Sequence, residues 1–266
     1  MALIYLFHPP TYTEGICEIR NRLQTIPAST KQEMIATKYL SDYTSSAMWA
    51  TDTPFGQIHG DLMKELNKHE IAAFHNTRLL DIESIKRKGI IFSDERYVNS
   101  VKKSMQIAGI EEKRIDKIVS IIIGERDRWN DGKQNRRKNE ICFIYDWDYY
   151  KDYDKFLAIY GGEFMEFGLS NYSDEKLGLR EYKDIIKLGH PYVIEFSIPF
   201  RWINVFDQQD VARYMLEEWI HLDIKHDEPK HQYDGRIEKE IPPEKIINIH
   251  EVEDDFKDMD NWLFKY

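Results

Sequence analysis

Four polar residues stand side by side directly after a short apolar run in the first third of the chain. The run is residues 71–74, which has the length and composition of one buried strand. His75, Asn76, Thr77 and Arg78 follow it where that strand should end. Side chains of these types at the tip of a strand make a ligand-site arrangement.

The residues that follow the polar cluster predict a short helix that would hold it in place. Apolar residues recur at helical spacing over residues 79–85, and Asp81 and Glu83 fall in the first turn, where carboxylates suit the helix dipole. Gly89 is a candidate C-cap, and a second apolar run follows it. The stretch therefore predicts a strand, a polar cluster, a helix and a glycine stop.

Residues 71–90 also resemble a known family. The order His75, Thr77, Arg78, then a helix and Gly89, is similar to the first motif of the His-Tyr-Glu ADP-ribosyltransferases. That superfamily includes the poly(ADP-ribose) polymerases and bacterial toxins that modify nucleic acid. Asn76 stands where glycine is common in the family.

Two later segments extend the resemblance. Residues 140–146 form an apolar strand pattern that resembles the second family motif, with Tyr145 or Phe143 as the strand aromatic. Residues 153–160 resemble the short helix that follows in the family, and Tyr160 would be the aromatic that stacks on the nicotinamide.

The third family motif places a catalytic glutamate before a closing strand. Residues 236–241 read as an exposed strand, and residues 242–249 as a proline break followed by the final strand. Glu238 fits the position of the catalytic glutamate, and Glu240, on the same strand face, is the alternative. Glu163, presented by the turn Gly161-Gly162, is a further candidate.

The resemblance implies an activity and a set of roles. NAD would be the co-substrate, no metal would be required, and ADP-ribose would pass to a macromolecular acceptor. His75 would contact a ribose hydroxyl with Thr77 nearby, and the backbone of Asn76 would bind the nicotinamide amide. The residues so assigned to NAD binding are His75, Asn76, Thr77, Arg78, Tyr145 and Tyr160, and the catalytic residues are Glu238, His75 and Tyr160.

A basic cluster over residues 126–138 indicates the class of acceptor. It is a local exception in an acidic chain, and arginine pairs with phosphates while tryptophan can stack on a base. We therefore expect the acceptor to be RNA or DNA rather than protein, although a solvated loop is the plainer interpretation. The residues assigned to this substrate are Arg126, Trp129, Arg136, Arg137 and Glu163.

Composition limits the class of protein and its location. The formal net charge of −10 excludes a general nucleic-acid coating protein, and 42% hydrophobic residues indicate a globular chain. Cys17 and Cys142 form neither a metal motif nor a disulfide framework, which favours a reducing compartment. With no signal-peptide pattern and no membrane span, we expect a cytoplasmic protein. The family resemblance implies a bacterial toxin or phage-defence effector, with an inhibitory antitoxin as a partner.

The predicted fold is α+β. Residues 1–69 read as a helical N-terminal extension, with helices over residues 15–26, from Thr30 through Leu40, and over residues 54–69. Residues 70–266 would form the catalytic domain, in which the resemblance implies split antiparallel sheets around an NAD cleft. Further helices are predicted at 100–124 and 208–220.

Two alternative functions stay open at this point. The chain could be a catalytically inactive relative that binds nucleotides or proteins. It could also be a metal-dependent nuclease or hydrolase built on His221, His226 and His231, with Asp223 and Asp227 between them. The five-residue spacing of these histidines places them on neither one helix face nor one strand face, and we expect no metal.

Overall fold

The computed structural model describes residues 1–79, 81–92, 94–130, 139–146, 189–224 and 234–252, with the backbone alone at 122 and 125–130. The predicted α+β class is confirmed. In these ranges the helices are α1 (Glu14–Leu23), α2 (Ala28–Ala36), α3 (Leu40–Ala47), α4 (Pro54–Leu66), α5 (Ile82–Lys88), α6 (Glu95–Ile107), α7 (Glu112–Asn130) and α8 (Val205–Ile224). The strands are β1 (Leu3–Ile4), β2 (Glu70–Leu79), β3 (Ile141–Ile144), β4 (His190–Pro199), β5 (Asp234–Ile237) and β6 (Ile246–Glu251). None of the described helices is long and apolar enough to span a membrane.

The helices α1 and α4 form where their sequence patterns predict them. The side chain of Thr13 caps α1 by accepting a hydrogen bond from the backbone of Ile16, and Thr53 caps α4 in the same way through Gly56. Pro54 occupies the first helical position of α4, where its missing N–H costs no bond. The apolar faces that these helices bury are Ile16, Ile19 and Leu23 on α1, and Phe55, Ile58, Leu62 and Leu66 on α4.

Two predicted helices are each divided in the structure. The helix predicted through Leu40 is replaced by α2 and α3, because the chain turns extended at Thr37 and Tyr39. Of the apolar face predicted from Ile35, Tyr39 and Leu40, only Leu40 is buried, while Met34 is buried outside that face. The helical region predicted over 100–124 is likewise α6 and α7, separated after Ile107.

The six described strands form one sheet in the order β5-β3-β2-β4-β6, with β1 beside β2. The β1–β2 pair is parallel, with Leu3 opposite Glu70. The β2–β3 pair is antiparallel, with Phe74 opposite Ile144, and so is the β4–β6 pair, which has a register shift between Glu195 and Phe196. The register brings β3 alongside the polar end of β2.

The chain divides into two compact units. The first unit contains Met1–Ala73 together with Ser197–Arg236, so α8 belongs with the N-terminal helices. In that unit α8 packs against α1, α3 and α4. Its buried residues include Val211, Ala212, Met215, Leu216, Trp219 and Ile220.

A charged pair lies inside this helical unit. The Glu217 carboxylate on α8 is fully buried and accepts hydrogen bonds from Arg213, at 2.8 Å, and from the hydroxyl of Thr44 on α3. Asp210 binds a second nitrogen of the same guanidinium at 3.0 Å. Burial raises the pKa of the Glu217 carboxyl, and the Arg213 charge and the Thr44 hydroxyl oppose this rise. The Glu217 carboxylate therefore links α8 to α3 through the Thr44 hydroxyl, at a position removed from solvent.

The second unit contains Phe74–Phe196 and Ile237–Tyr266. Within it α6 packs on α7, and α5 packs on the short 3-10 helix Pro243–Lys245. Aromatic rings from two strands fill part of its core. The ring of Phe143 contacts Tyr145 and Phe196 edge to face, with centroid distances of 5.2 and 5.7 Å.

Candidate functional site

The strand β2 is longer than the apolar run that predicted it. It continues through Leu79, so His75, Asn76, Thr77 and Arg78 lie within the strand rather than at its tip. Because side chains alternate along a strand, His75 and Thr77 lie on one face and Asn76 and Arg78 on the other. The strand thus divides the predicted polar cluster between two faces of the sheet.

His75 is held by the neighbouring strand. Its Nδ1 lies 2.8 Å from the carbonyl oxygen of Cys142 on β3, and since a carbonyl can only accept, Nδ1 carries the proton. Burial lowers the pKa of His75, and the bond to Cys142 opposes this shift. At neutral pH the imidazole is therefore neutral, and its Nε2 lone pair can accept a hydrogen bond from a hydroxyl group.

The opposite face of β2 carries side chains with structural contacts. Asn76 is buried, and the guanidinium of Arg78 donates a hydrogen bond of 2.9 Å to the carbonyl oxygen of Gly189. Arg78 thus joins β2 to the residue that precedes β4. This contact fixes the backbone of the strand that presents His75.

Tyr145 follows β3 and is buried among aromatic rings. Only 2% of its surface is exposed, and its ring contacts Phe143. Tyr145 and Phe143, the two candidate strand aromatics, therefore pack in the core of the second unit.

The two candidate glutamates near β5 have different surroundings. The strand ends at Ile237, so Glu238 lies in the bend that follows rather than on a strand, and it is exposed. Glu240 is partly buried; its carboxylate pairs with Arg96 and accepts a hydrogen bond of 3.2 Å from the backbone of Phe92. Of the two carboxylates, that of Glu238 is the more accessible to a ligand.

The end of α5 lies directly against the segment that carries these glutamates. Ile90 and Ile241 exchange two backbone hydrogen bonds of 2.9 and 3.0 Å. Gly89 ends α5 as predicted, and its N–H binds the carbonyl of Ile85 at 2.7 Å. Its φ is +72°, and a Cβ there would lie 1.8 Å from the Ile241 carbonyl oxygen. The glycine is therefore required by the close approach of two chain segments as well as by its dihedral angle.

We expect Gly89→Ala to destabilise the protein more than Gly109→Ala. Gly109 also has a positive φ, of +76°, but open space surrounds the position of its Cβ. A positive φ strains an alanine by about 1–3 kcal/mol at either site, and the clash with Ile241 should add about 1–3 kcal/mol at Gly89, whose ψ of −157° also lies outside the left-handed helical region. Urea unfolding of both variants measures the difference. Equal losses in the free energy of unfolding would show that the chain at Ile241 moves away from the new Cβ at little energetic cost.

Several predicted site residues lie outside what the structure describes. The backbone of Arg126 and Trp129 belongs to α7, which continues beyond the predicted break, but their side chains are not described. The remaining ones outside the described residues are Tyr160, Glu163, Arg136 and Arg137.

Among the described residues, no cluster of three or more His, Cys, Asp or Glu side chains could hold a metal ion. His221 lies on α8, and His226 and His231 fall outside the described ranges.

In the second unit Glu195 binds the Nε2 of His250 at 2.8 Å, a pairing that the sequence patterns did not indicate.

The described candidate residues share one compact unit. His75, Thr77 and Glu238 all belong to the second unit, as does Cys142, which binds His75. Arg96 is the residue of this region that sequence reasoning missed, because nothing local marks a partner 144 residues away. Comparisons with protein-family models, with curated proteins and with solved structures return no match.

Proposed function

We propose that this chain transfers ADP-ribose from NAD to a macromolecular acceptor. One observation supports the proposal above the others. Described parts of the three segments that resemble the family motifs, far apart in sequence, are held together by specific hydrogen bonds. His75 binds Cys142 of the second segment, and Ile90 pairs with Ile241 of the third.

The state of His75 agrees with the role that the resemblance implies. With Nδ1 donating to Cys142, the neutral ring offers Nε2 as an acceptor for a ribose hydroxyl. A charged imidazolium would instead repel the positive charge that develops on the sugar during the reaction. The lowered pKa of His75 keeps the ring in the neutral form at neutral pH.

The accessible carboxylate of Glu238 supplies what the transfer needs. The bond between ribose C1′ and the nicotinamide nitrogen breaks, and the electron pair leaves with nicotinamide. Positive charge then spreads over C1′ and the ring oxygen, and a carboxylate near the ribose stabilises it electrostatically. An acceptor nucleophile forms the new bond to C1′ and loses its proton. The proposal includes an NAD cleft between antiparallel sheets, as the family resemblance implies.

The acceptor in this proposal is RNA or DNA. Its support is compositional, since the cluster over residues 126–138 is basic in a chain whose net charge is −10. The test is incubation with labelled NAD and a mixture of RNA, DNA and protein. Nicotinamide release with label on nucleic acid is the expected result. Label on protein alone would overturn the acceptor, and NAD binding without consumption would indicate an inactive binding module. Loss of activity on chelation would favour a metal-dependent hydrolase.

We expect NAD affinity to be constant from pH 8 through neutral pH, and to fall only below the pH at which an ordinary imidazole becomes protonated. The physical reason is that protonation turns Nε2 of His75 from an acceptor into a donor, and the pKa of this group lies below its usual value of 6.5. His75→Ala should weaken binding about fivefold at pH 7.5, the value of one neutral hydrogen bond, and remove the pH dependence. Calorimetric titration measures both effects. A folded mutant with wild-type affinity would remove His75 from the site.

A further inference from the structure

The bend that carries Glu238 is anchored from outside its own strand. β5 ends at Ile237, and both Glu238 and Lys239 are exposed. The next residues, Glu240 and Ile241, make hydrogen bonds of 2.9 to 3.2 Å with the stretch between α5 and α6. The position of Glu238 is therefore set by β5, which pairs with β3, on one side and by these contacts on the other.

Backbone contacts supply the first part of this anchor. The two hydrogen bonds between Ile90 and Ile241 form an isolated bridge, and Ile241 is fully buried. Gly89 allows the chain to approach so closely that no side chain fits at its position. The bridge fixes one end of the bend.

Side chains supply the second part. The Glu240 carboxylate accepts from the Phe92 backbone and pairs with the Arg96 guanidinium. Asp94 binds the same guanidinium at 2.7 Å. Asp94 also caps α6, accepting a bond of 2.8 Å from the backbone of Arg96. Glu240 is thus attached to the start of a helix of thirteen residues, which is a rigid support.

We infer that Arg96 and Glu240 form a clamp that positions the catalytic carboxylate, an inference that depends on the proposed role of Glu238. Two residues of chain span at most about 7 Å, so a fixed Glu240 leaves Glu238 little freedom. A misplacement of about 1 Å at a reacting centre can cost about a hundredfold in rate. Neither Arg96 nor Glu240 needs to touch NAD for this effect. They are positioning residues.

Charge reversal tests the clamp. Arg96→Glu and Glu240→Arg should each lower kcat for nicotinamide release about ten- to a hundredfold, with less than a threefold change in the KM for NAD. The double variant restores the opposite charges and should regain part of the rate, because the carboxylate introduced at position 96 meets Asp94 and the guanidinium introduced at position 240 cannot accept the Phe92 hydrogen bond. Lys102→Glu is the matched control, because Lys102 lies on the same helix and pairs with Glu112 and Asp116 instead. It should retain wild-type kcat.

Hydrogen exchange separates failure of the clamp from failure of the proposed function. The amide of Ile241 reports the bridge to Ile90, so its exchange should accelerate in each single variant and recover in part in the double variant. Accelerated exchange with unchanged kcat would overturn the positioning role. Unchanged exchange in the single variants would overturn the clamp itself. If the wild type released no nicotinamide, the proposed function would fail, and the exchange rates would still decide whether the clamp orders this bend.

Discussion

Replacing Glu238 by glutamine should reduce nicotinamide release a hundred- to a thousandfold. Glutamine keeps the shape of the side chain and its ability to accept a hydrogen bond, but it removes the negative charge. One electrostatic contact of this kind to a developing charge is worth about 3–4 kcal/mol in the transition state. The affinity for NAD should change far less, because the ground state gains little from the carboxylate. Steady-state release rates and calorimetric titration measure the two quantities.

The control for Glu238→Gln is Glu244→Gln. Glu244 lies on the 3-10 helix six residues further on and is exposed. Glu240 is less suitable, because its ion pair with Arg96 gives it a structural role of its own. We expect Glu244→Gln to retain wild-type turnover. Normal turnover in the Glu238 variant would remove this bend from the active site.

Replacing Arg213 by methionine should destabilise the fold by about 3–5 kcal/mol, since it removes one partner of a buried ion pair. The Glu217 carboxylate would stay fully buried and keep the Thr44 hydroxyl, but it would lose the cation that offsets its desolvation. Whole domains are stable by only about 5–15 kcal/mol, so this is a large fraction of the total. Urea unfolding followed by circular dichroism measures the loss.

The pH dependence and a surface control identify the cause of that loss. Without Arg213 the pKa of the Glu217 carboxyl rises further, so the folded variant takes up a proton as the pH falls. The destabilisation should therefore be smaller at pH 5 than at pH 8. Arg22→Met breaks an exposed pair with Asp61 and should cost less than about 1 kcal/mol. Equal losses in the two variants would show that burial of Glu217 is not what matters.

Sequence patterns predicted the elements whose buried face follows a local hydrophobic periodicity. The helices α4 and α8 and the glycine that ends α5 were all identified correctly. In each case the signal lies within a few residues, because a helix repeats its faces every three or four positions. The α+β class follows from the same patterns.

Pairings between distant segments could not be predicted in this way. Hydrophobic periodicity shows that a residue is buried but does not identify its partner. Nothing near Arg96 indicates Glu240, and nothing near Thr44 indicates Glu217 on α8. The end of β2 was misplaced for a related reason. Its polar residues continue the strand because a neighbouring strand pairs with it, as the bond from His75 to Cys142 shows.

The discontinuous first unit has a consequence for synthesis on the ribosome. Residues 1–73 form a compact unit only with residues 197–236, so its four N-terminal helices emerge long before α8 does. Contacts between such distant segments form slowly, because the intervening chain must first be ordered or looped out. The nascent helices therefore expose the surface reserved for α8 while all of residues 74–196 are translated. This interval is when the chain is most open to chaperones and to proteolysis.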